Sequence, residues 1–175
     1  MSSNSERISV FRCDASAHIG GGHVMRCLTL ADRLSSQGWK CFFSCTSETV
    51  ATIPLLKDKG YEILPPENLV NNSADILIVD HYDLDKAYET SCRNWANHIL
   101  VIDDLANRHH DCDVLVDQTF GRDANDYSLY VPEGCKIFVG SEYALLRPQF
   151  SQSREKSLER REQQNGRVER LMIML

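Results

Sequence analysis

The sequence predicts an α/β protein built on a doubly wound parallel sheet, and three observations carry that expectation. Short apolar runs alternate with stretches of helical periodicity along most of the chain, the pattern of strands joined by crossover helices. Two runs, Asp75-Ile76-Leu77-Ile78-Val79-Asp80 and Ile99-Leu100-Val101-Ile102-Asp103-Asp104, are continuously apolar and end on acids, as strands covered on both faces do. A glycine turn, Gly20-Gly21-Gly22, joins the first strand to the first helix, where such sheets place ligands.

The elements follow in order. Ile8 to Phe11 is an apolar run after a polar start and reads as the first strand. The loop Arg12 to Ile19 leads to the glycines. From His23 the period turns helical: Val24, Cys27, Leu28, Ala31 and Leu34 form one apolar stripe, with Arg26, Asp32 and Arg33 mostly facing away from it. Gly38 closes this helix. Cys41 to Ser44 is a second strand. Glu48 to Lys59 reads as a helix in which Pro54 requires a late start, a kink or a break. Tyr61 to Leu64 is a third strand, stopped by Pro65-Pro66. The two buried runs are the fourth and fifth strands, with a helix from Asp85 to Trp95 between them. Val114-Leu115-Val116 and Ile137-Phe138-Val139 are shorter strands. Phe11, Val79 and Ile102 are expected on neighbouring central strands. Ser151 to Gln164 reads as a polar helix.

Composition narrows the function classes. The 175 residues are 42% hydrophobic and 25% charged, ordinary for a globular chain, and the net charge of −6 argues against a nucleic-acid binder driven by bulk electrostatics. No apolar run approaches the roughly 20 residues needed to span a bilayer, and Met1 to Arg7 lacks the apolar core of a signal peptide. A cytoplasmic location is therefore expected, with no membrane partner. The seven cysteines form no CxxC pair and read as reduced, mostly buried thiols.

The chemistry centres on the first loop. Consecutive glycines let backbone and ligand approach closely, and free N–H groups at a helix start attract anions. The turn is not a dinucleotide fingerprint, because Met25 stands where GxGxxG needs glycine, and no GK[ST] marks a P-loop. His23 sits in the first helical turn, whose positive end favours an uncharged ring able to take a proton from water. Asp80-His81-Tyr82 and Asp103-Asp104 follow the fourth and fifth strands, so a parallel sheet brings them to the same rim as His23. Each of these residues, taken alone, also reads as an ordinary loop or capping group. His109-His110-Asp111-Cys112-Asp113 has metal-capable side chains at a spacing that fits no standard zinc or iron pattern. No metal and no cofactor is expected.

Taken together, these motifs resemble a known family. Arg12-Cys13-Asp14-Ala15-Ser16 through Ile19-Gly20-Gly21-Gly22-His23-Val24-Met25-Arg26-Cys27-Leu28 is similar to the signature of the UDP-2,4-diacetamido-2,4,6-trideoxy-β-L-altropyranose hydrolases of pseudaminic acid biosynthesis. Val79-Asp80-His81-Tyr82, Ile102-Asp103-Asp104-Leu105-Ala106, His110-Asp111-Cys112-Asp113 and Tyr143-Ala144-Leu145-Leu146-Arg147-Pro148 extend the resemblance. It implies the N-terminal half of a GT-B-type architecture of two Rossmann-like domains, and metal-independent hydrolysis. Water would attack the anomeric carbon, UDP would leave, and configuration would invert. His23 would be the base and Tyr82 would contact the sugar. Asp14, Gly20, Gly21, Gly22, Arg26, Asp80, His81, Asp103 and Asp104 would complete the substrate site.

The resemblance implies three segments: residues 1–150 as the Rossmann-like domain, 151–170 as a helical linker, and 171–175 as the first strand of a C-terminal domain that is missing here and would complete the UDP site. Leu171-Met172-Ile173-Met174-Leu175 also reads as an added edge strand of the same sheet. It is expected not to pack in the core of residues 8–150. Two other functions compete: a GT-B glycosyltransferase using a UDP-sugar, and a non-catalytic sugar-nucleotide-binding module.

Overall fold

The computed structural model describes residues 6–71, 73–165, 167 and 171, and the side chains of all of these except 69–71. The apolar runs become seven strands among the described residues: β1 (Arg7–Cys13), β2 (Trp39–Ser44), β3 (Glu62–Leu64), β4 (Ala74–Asp80), β5 (Ala96–Ile102), β6 (Val114–Asp117) and β7 (Lys136–Val139). They form one sheet in the order β3-β2-β1-β4-β5-β6-β7, and every pairing is parallel. The doubly wound α/β fold expected from the sequence is thus observed. Phe11 pairs with Ile78, and Val79 with Val101, so Phe11, Val79 and Ile102 do lie on adjacent central strands.

Alternation of side chains along a strand explains the continuous apolar runs. Val10, Leu77, Val79, Ile99, Val101 and Leu115 point into one core layer with Cys92 and Trp95. Phe11, Ile78, Phe43 and Ile102 point into the other, against Val24, Cys27, Leu28 and Ala31. Those four residues are the buried stripe of α1 (Gly22–Ser35).

The helices differ from expectation where local chemistry intervenes. The Glu48–Lys59 segment breaks in two at Pro54: α2 (Ser47–Thr52) ends before it, and α3 (Leu55–Asp58) takes Pro54 as its N-cap. The proline lacks the N–H that a continuous helix needs. α4 (Lys86–Cys92) stops three residues short of Trp95, whose N–H bonds to Cys92 C=O in a closing turn before β5 begins early at Ala96.

The chain divides into two compact units, Met1–Leu145 and Leu146–Leu175, where the sequence reading put a boundary at 150. The sheet lies wholly in the first. The second contains α5 (Pro148–Gln163), with proline at its first turn and Arg160 and Arg161 in its last, both favourable there. Met172 and Met174 lie outside the described residues. No helix among the described residues is long and apolar enough to cross a membrane.

Strand order changes direction between β1 and β4, since the chain winds outward from β1 through β2 and β3, then from β4 through β7. The crevice at such a switch point, outside the carboxyl ends of the strands, is where ligands bind in open α/β sheets.

Candidate active site

The glycine turn leaves β1 and enters α1 at this switch point. Ser16 and Gly20 form an antiparallel bridge, and the Ser16 Oγ accepts from the N–H groups of His18 and Ile19. Gly20 has φ +73°, a conformation that costs an L side chain strain. Gly21 caps α1 without a side-chain hydrogen bond. A Cβ on it would sit 2.7 Å from Ile53 Cδ1, so this glycine answers to packing against the α2–α3 connection.

His23, in the first turn of α1, is buried. Its Nδ1 lies 2.5 Å from Asp80 Oδ1, at the end of β4. Asp80 is fully buried, and Arg26, one turn along α1, grips it from the other side: Nε lies 2.5 Å from Oδ2 and Nη2 2.6 Å from Oδ1. Burial by itself would raise the Asp80 carboxyl, but Arg26 and His23 outweigh it and hold the group below the ordinary carboxylate range. An ionised carboxylate only accepts, so His23 donates from Nδ1, and its lone pair in the neutral ring is on Nε2. This is the geometry of an oriented general base.

Arg26 faces away from the apolar stripe and onto the rim, because position 26 lies three residues after His23 on the same helix face. Its Nη1 also reaches Asp104 Oδ2 at 3.3 Å. Burial opposes the Arg26 charge, yet Asp80 and Asp104 raise its pKa above the usual value.

Tyr82 sets its ring edge-on to His23, with centroids 4.6 Å apart and planes at 87°. It is 40% exposed, and its hydroxyl lies 3.4 Å from Asp104 Oδ2. Partial burial, then the Asp104 charge, raises the phenol pKa, so Tyr82 presents a proton at neutral pH. His23, Arg26, Asp80, Tyr82 and Asp104 are therefore one contiguous constellation.

Other residues named from the sequence stand apart from it or beneath it. His81 turns toward Asp14, with Nε2 3.3 Å from Asp14 Oδ2, while its Nδ1 accepts from the Asp83 N–H. Asp14 is buried and accepts from the Thr46 N–H and the Thr49 hydroxyl, both at 2.9 Å, and pairs with Arg12 at 2.8 Å. Burial would raise its carboxyl, but His81, Arg12 and Thr46 bring it well below the ordinary range. Asp103 is buried, accepts from the N–H groups of Leu105 and Ala106, and pairs with Arg108 at 2.6 Å.

Residues that the sequence reading did not single out support this rim. Tyr127, fully buried, puts its hydroxyl 2.8 Å from Asp117 Oδ2 and 3.0 Å from Asp103 Oδ2. Arg122 joins Asp117 to the Asp104 carbonyl. Asp117 was visible in principle, being another acid at the end of an apolar run; Tyr127 and Arg122 carried no such signal. A cleft of about 680 Å³ lined by Thr46, Ser47, Val50, Lys57, Pro66 and Glu67 shares Thr46 with the Asp14 network. Among the described residues no cluster of three or more His, Cys, Asp or Glu is arranged to hold a metal ion.

No family model matches the chain. Two curated relatives do. A UDP-2,4-diacetamido-2,4,6-trideoxy-β-L-altropyranose hydrolase of Campylobacter jejuni is 31% identical over 159 residues, which is 87% of this chain and 56% of that protein. An uncharacterized protein of Methanocaldococcus jannaschii is 23% identical over 160 residues, 84% of this chain and 32% of that protein. The chain thus spans about half or less of the length of these relatives. Through the first match the chain has a family relationship with the UDP-2,4-diacetamido-2,4,6-trideoxy-β-L-altropyranose hydrolases.

Proposed function

We propose that this chain carries the catalytic-base half of a nucleotide-sugar hydrolase, acting on a UDP-linked 2,4-diacetamido-2,4,6-trideoxy sugar in pseudaminic acid biosynthesis. The observation that supports it most is the His23–Asp80–Arg26 constellation at the switch point, in a chain related to a hydrolase of that name. In this reading His23 Nε2 takes the proton of a water as its oxygen attacks the anomeric carbon. The C–O bond to the diphosphate breaks on the opposite face, UDP leaves, and configuration inverts. Asp80 fixes the tautomer and stabilises the imidazolium that forms. Arg26 holds Asp80. Tyr82 and Asp104 face the sugar, and the uncapped N–H groups at the start of α1 lie beside its polar substituents. Asp14, His81 and Asp103 act by holding the loops. A further domain supplies the uridine and diphosphate contacts.

The test is UDP release from the sugar nucleotide by a full-length protein carrying this segment. General-base loss costs about 10²- to 10⁴-fold, so His23→Ala should lower turnover by at least the smaller factor while affinity stays within a few-fold. His23→Asn should behave alike, since it keeps polarity and loses basicity. Equal rates in wild type and variants would remove His23 from the mechanism. Release of UDP only when an acceptor is added would favour a transferase.

A further inference from the structure

The opposite end of the sheet holds a feature that the hydrolase reading does not use. All seven cysteines are free thiols, and six of them are buried. Cys13 and Cys27 lie inside the α1-side core with no exposure, and Cys45, 3% exposed, borders the Thr46 cleft. Cys135 differs in being partly exposed, and it has a sulfur neighbour: its Sγ is 3.6 Å from the Sγ of buried Cys112.

The backbone already holds these two residues together. Cys112 lies just before β6 and Cys135 just before β7, at the amino ends of the strands. The Lys136 N–H donates to the Asp113 carbonyl at 2.9 Å, and the Asp113 N–H donates to the Ile99 carbonyl at 2.9 Å. Arg93 fastens the same loop, with Nη1 2.7 Å from Asp113 Oδ2 and Nη2 2.9 Å from Asp111 Oδ1. Bringing the sulfurs from 3.6 Å to the roughly 2 Å of a disulfide needs side-chain rotation and little backbone movement.

Charge around the pair distinguishes the two thiols. The Cys112 S–H stabilises a Cys135 thiolate by hydrogen bonding, and Arg93 adds a favourable charge. Burial, Asp113 and Glu89 oppose it, and the balance lies below the ordinary thiol value. Cys112 is pushed strongly upward by the same hydrogen bond and by burial. The accessible sulfur is thus also the more acidic one, the combination that makes a cysteine reactive.

We propose that Cys112 and Cys135 are an oxidant-sensitive dithiol, in which Cys135 meets a hydroperoxide and Cys112 resolves the product into a disulfide. The Cys135 thiolate attacks one peroxide oxygen, the S–O bond forms, the O–O bond breaks, and hydroxide leaves. Cys112 then loses its proton to that hydroxide, and its sulfur attacks the Cys135 sulfenic acid. The S–S bond forms, the S–O bond breaks, and water departs after taking up a proton. In sum, two thiols and one hydrogen peroxide give one disulfide and two waters.

The test treats the reduced, natively folded chain with hydrogen peroxide, followed by alkylation and mass spectrometry. The expected product has lost two hydrogens, regains them with dithiothreitol, and maps to a Cys112–Cys135 cross-link. Cys135→Ser should abolish the cross-link, and Cys112→Ser should leave a sulfenic acid at Cys135 that dimedone captures. On the wild-type protein alone, native alkylation should label Cys135 at least about tenfold faster than Cys112. A cross-link elsewhere, an intermolecular disulfide, or equal alkylation rates would overturn the proposal.

Discussion

At the scale of single residues, the proposed chemistry turns on how Asp80 divides its charge between two partners. Both oxygens are committed, one to His23 and both to Arg26. Removing either partner therefore changes the other. Asp80→Asn deprives His23 of the anion that fixes its tautomer and leaves Arg26 partly buried without its main partner. Turnover in a full-length protein should fall by about 10²-fold or more with KM changed only a few-fold. A large KM change with unaltered turnover would instead place Asp80 in ground-state binding. Arg26→Met is the informative complement. It leaves the buried Asp80 carboxylate without its bidentate partner, so turnover in a full-length protein should fall with KM changed only a few-fold, and unaltered turnover would detach Arg26 from the base.

At the scale of elements, the glycine turn has two different requirements side by side. Gly20 is needed for its backbone, since φ is +73° and nothing lies within 4 Å of an added Cβ. Gly20→Ala should cost about 1–2 kcal/mol in chemical denaturation, the strain of a left-handed L residue. Gly21 is short of space only toward the flexible end of Ile53, whose Cδ1 an added Cβ would meet. Gly21→Ala should therefore cost less than Gly20→Ala, and Ile53→Val, which deletes that methyl, should recover part of the loss. A double mutant as unstable as the sum of the singles would show that the two sites do not couple. The break at Pro54 ends α2 beside Ile53, which packs against the buried cluster that includes Val24 and Cys27 of α1.

At the scale of the molecule, five carboxylates, Asp14, Asp80, Asp111, Asp113 and Asp117, have pKa values lowered by their partners in the fold. A depressed folded pKa contributes stability above the unfolded value of about 4, and that stability is lost as pH falls through the range toward the folded values. The urea midpoint should therefore be lower at pH 3 than at pH 7, with the loss beginning below about pH 4. An unchanged midpoint would mean that these pairs add nothing net. Asp80 and Asp117 lie at the carboxyl ends of their strands and Asp14 just beyond β1, so part of this acid sensitivity is built into the rim that forms the candidate site.

Periodicity and punctuation were enough to place the seven strands, because a strand buried on both faces must be apolar at every position and a parallel sheet must return through helices. Strand-end acids and the glycine turn likewise marked the rim, since every parallel strand delivers its carboxyl end to one side. Pro54 declared a disruption without saying which kind. What the sequence could not decide is which polar groups meet. Nothing in the residues from 23 to 80 says that His23 and Arg26 share one carboxylate, that His81 turns to Asp14 while its neighbour Tyr82 stays at His23, or that Cys112 stands beside Cys135. Those partnerships depend on strand order and on the orientation of α1 across the sheet. They are contacts between residues far apart in the chain, selected by packing and by the cost of leaving a buried charge unpaired, and only the tertiary structure resolves them.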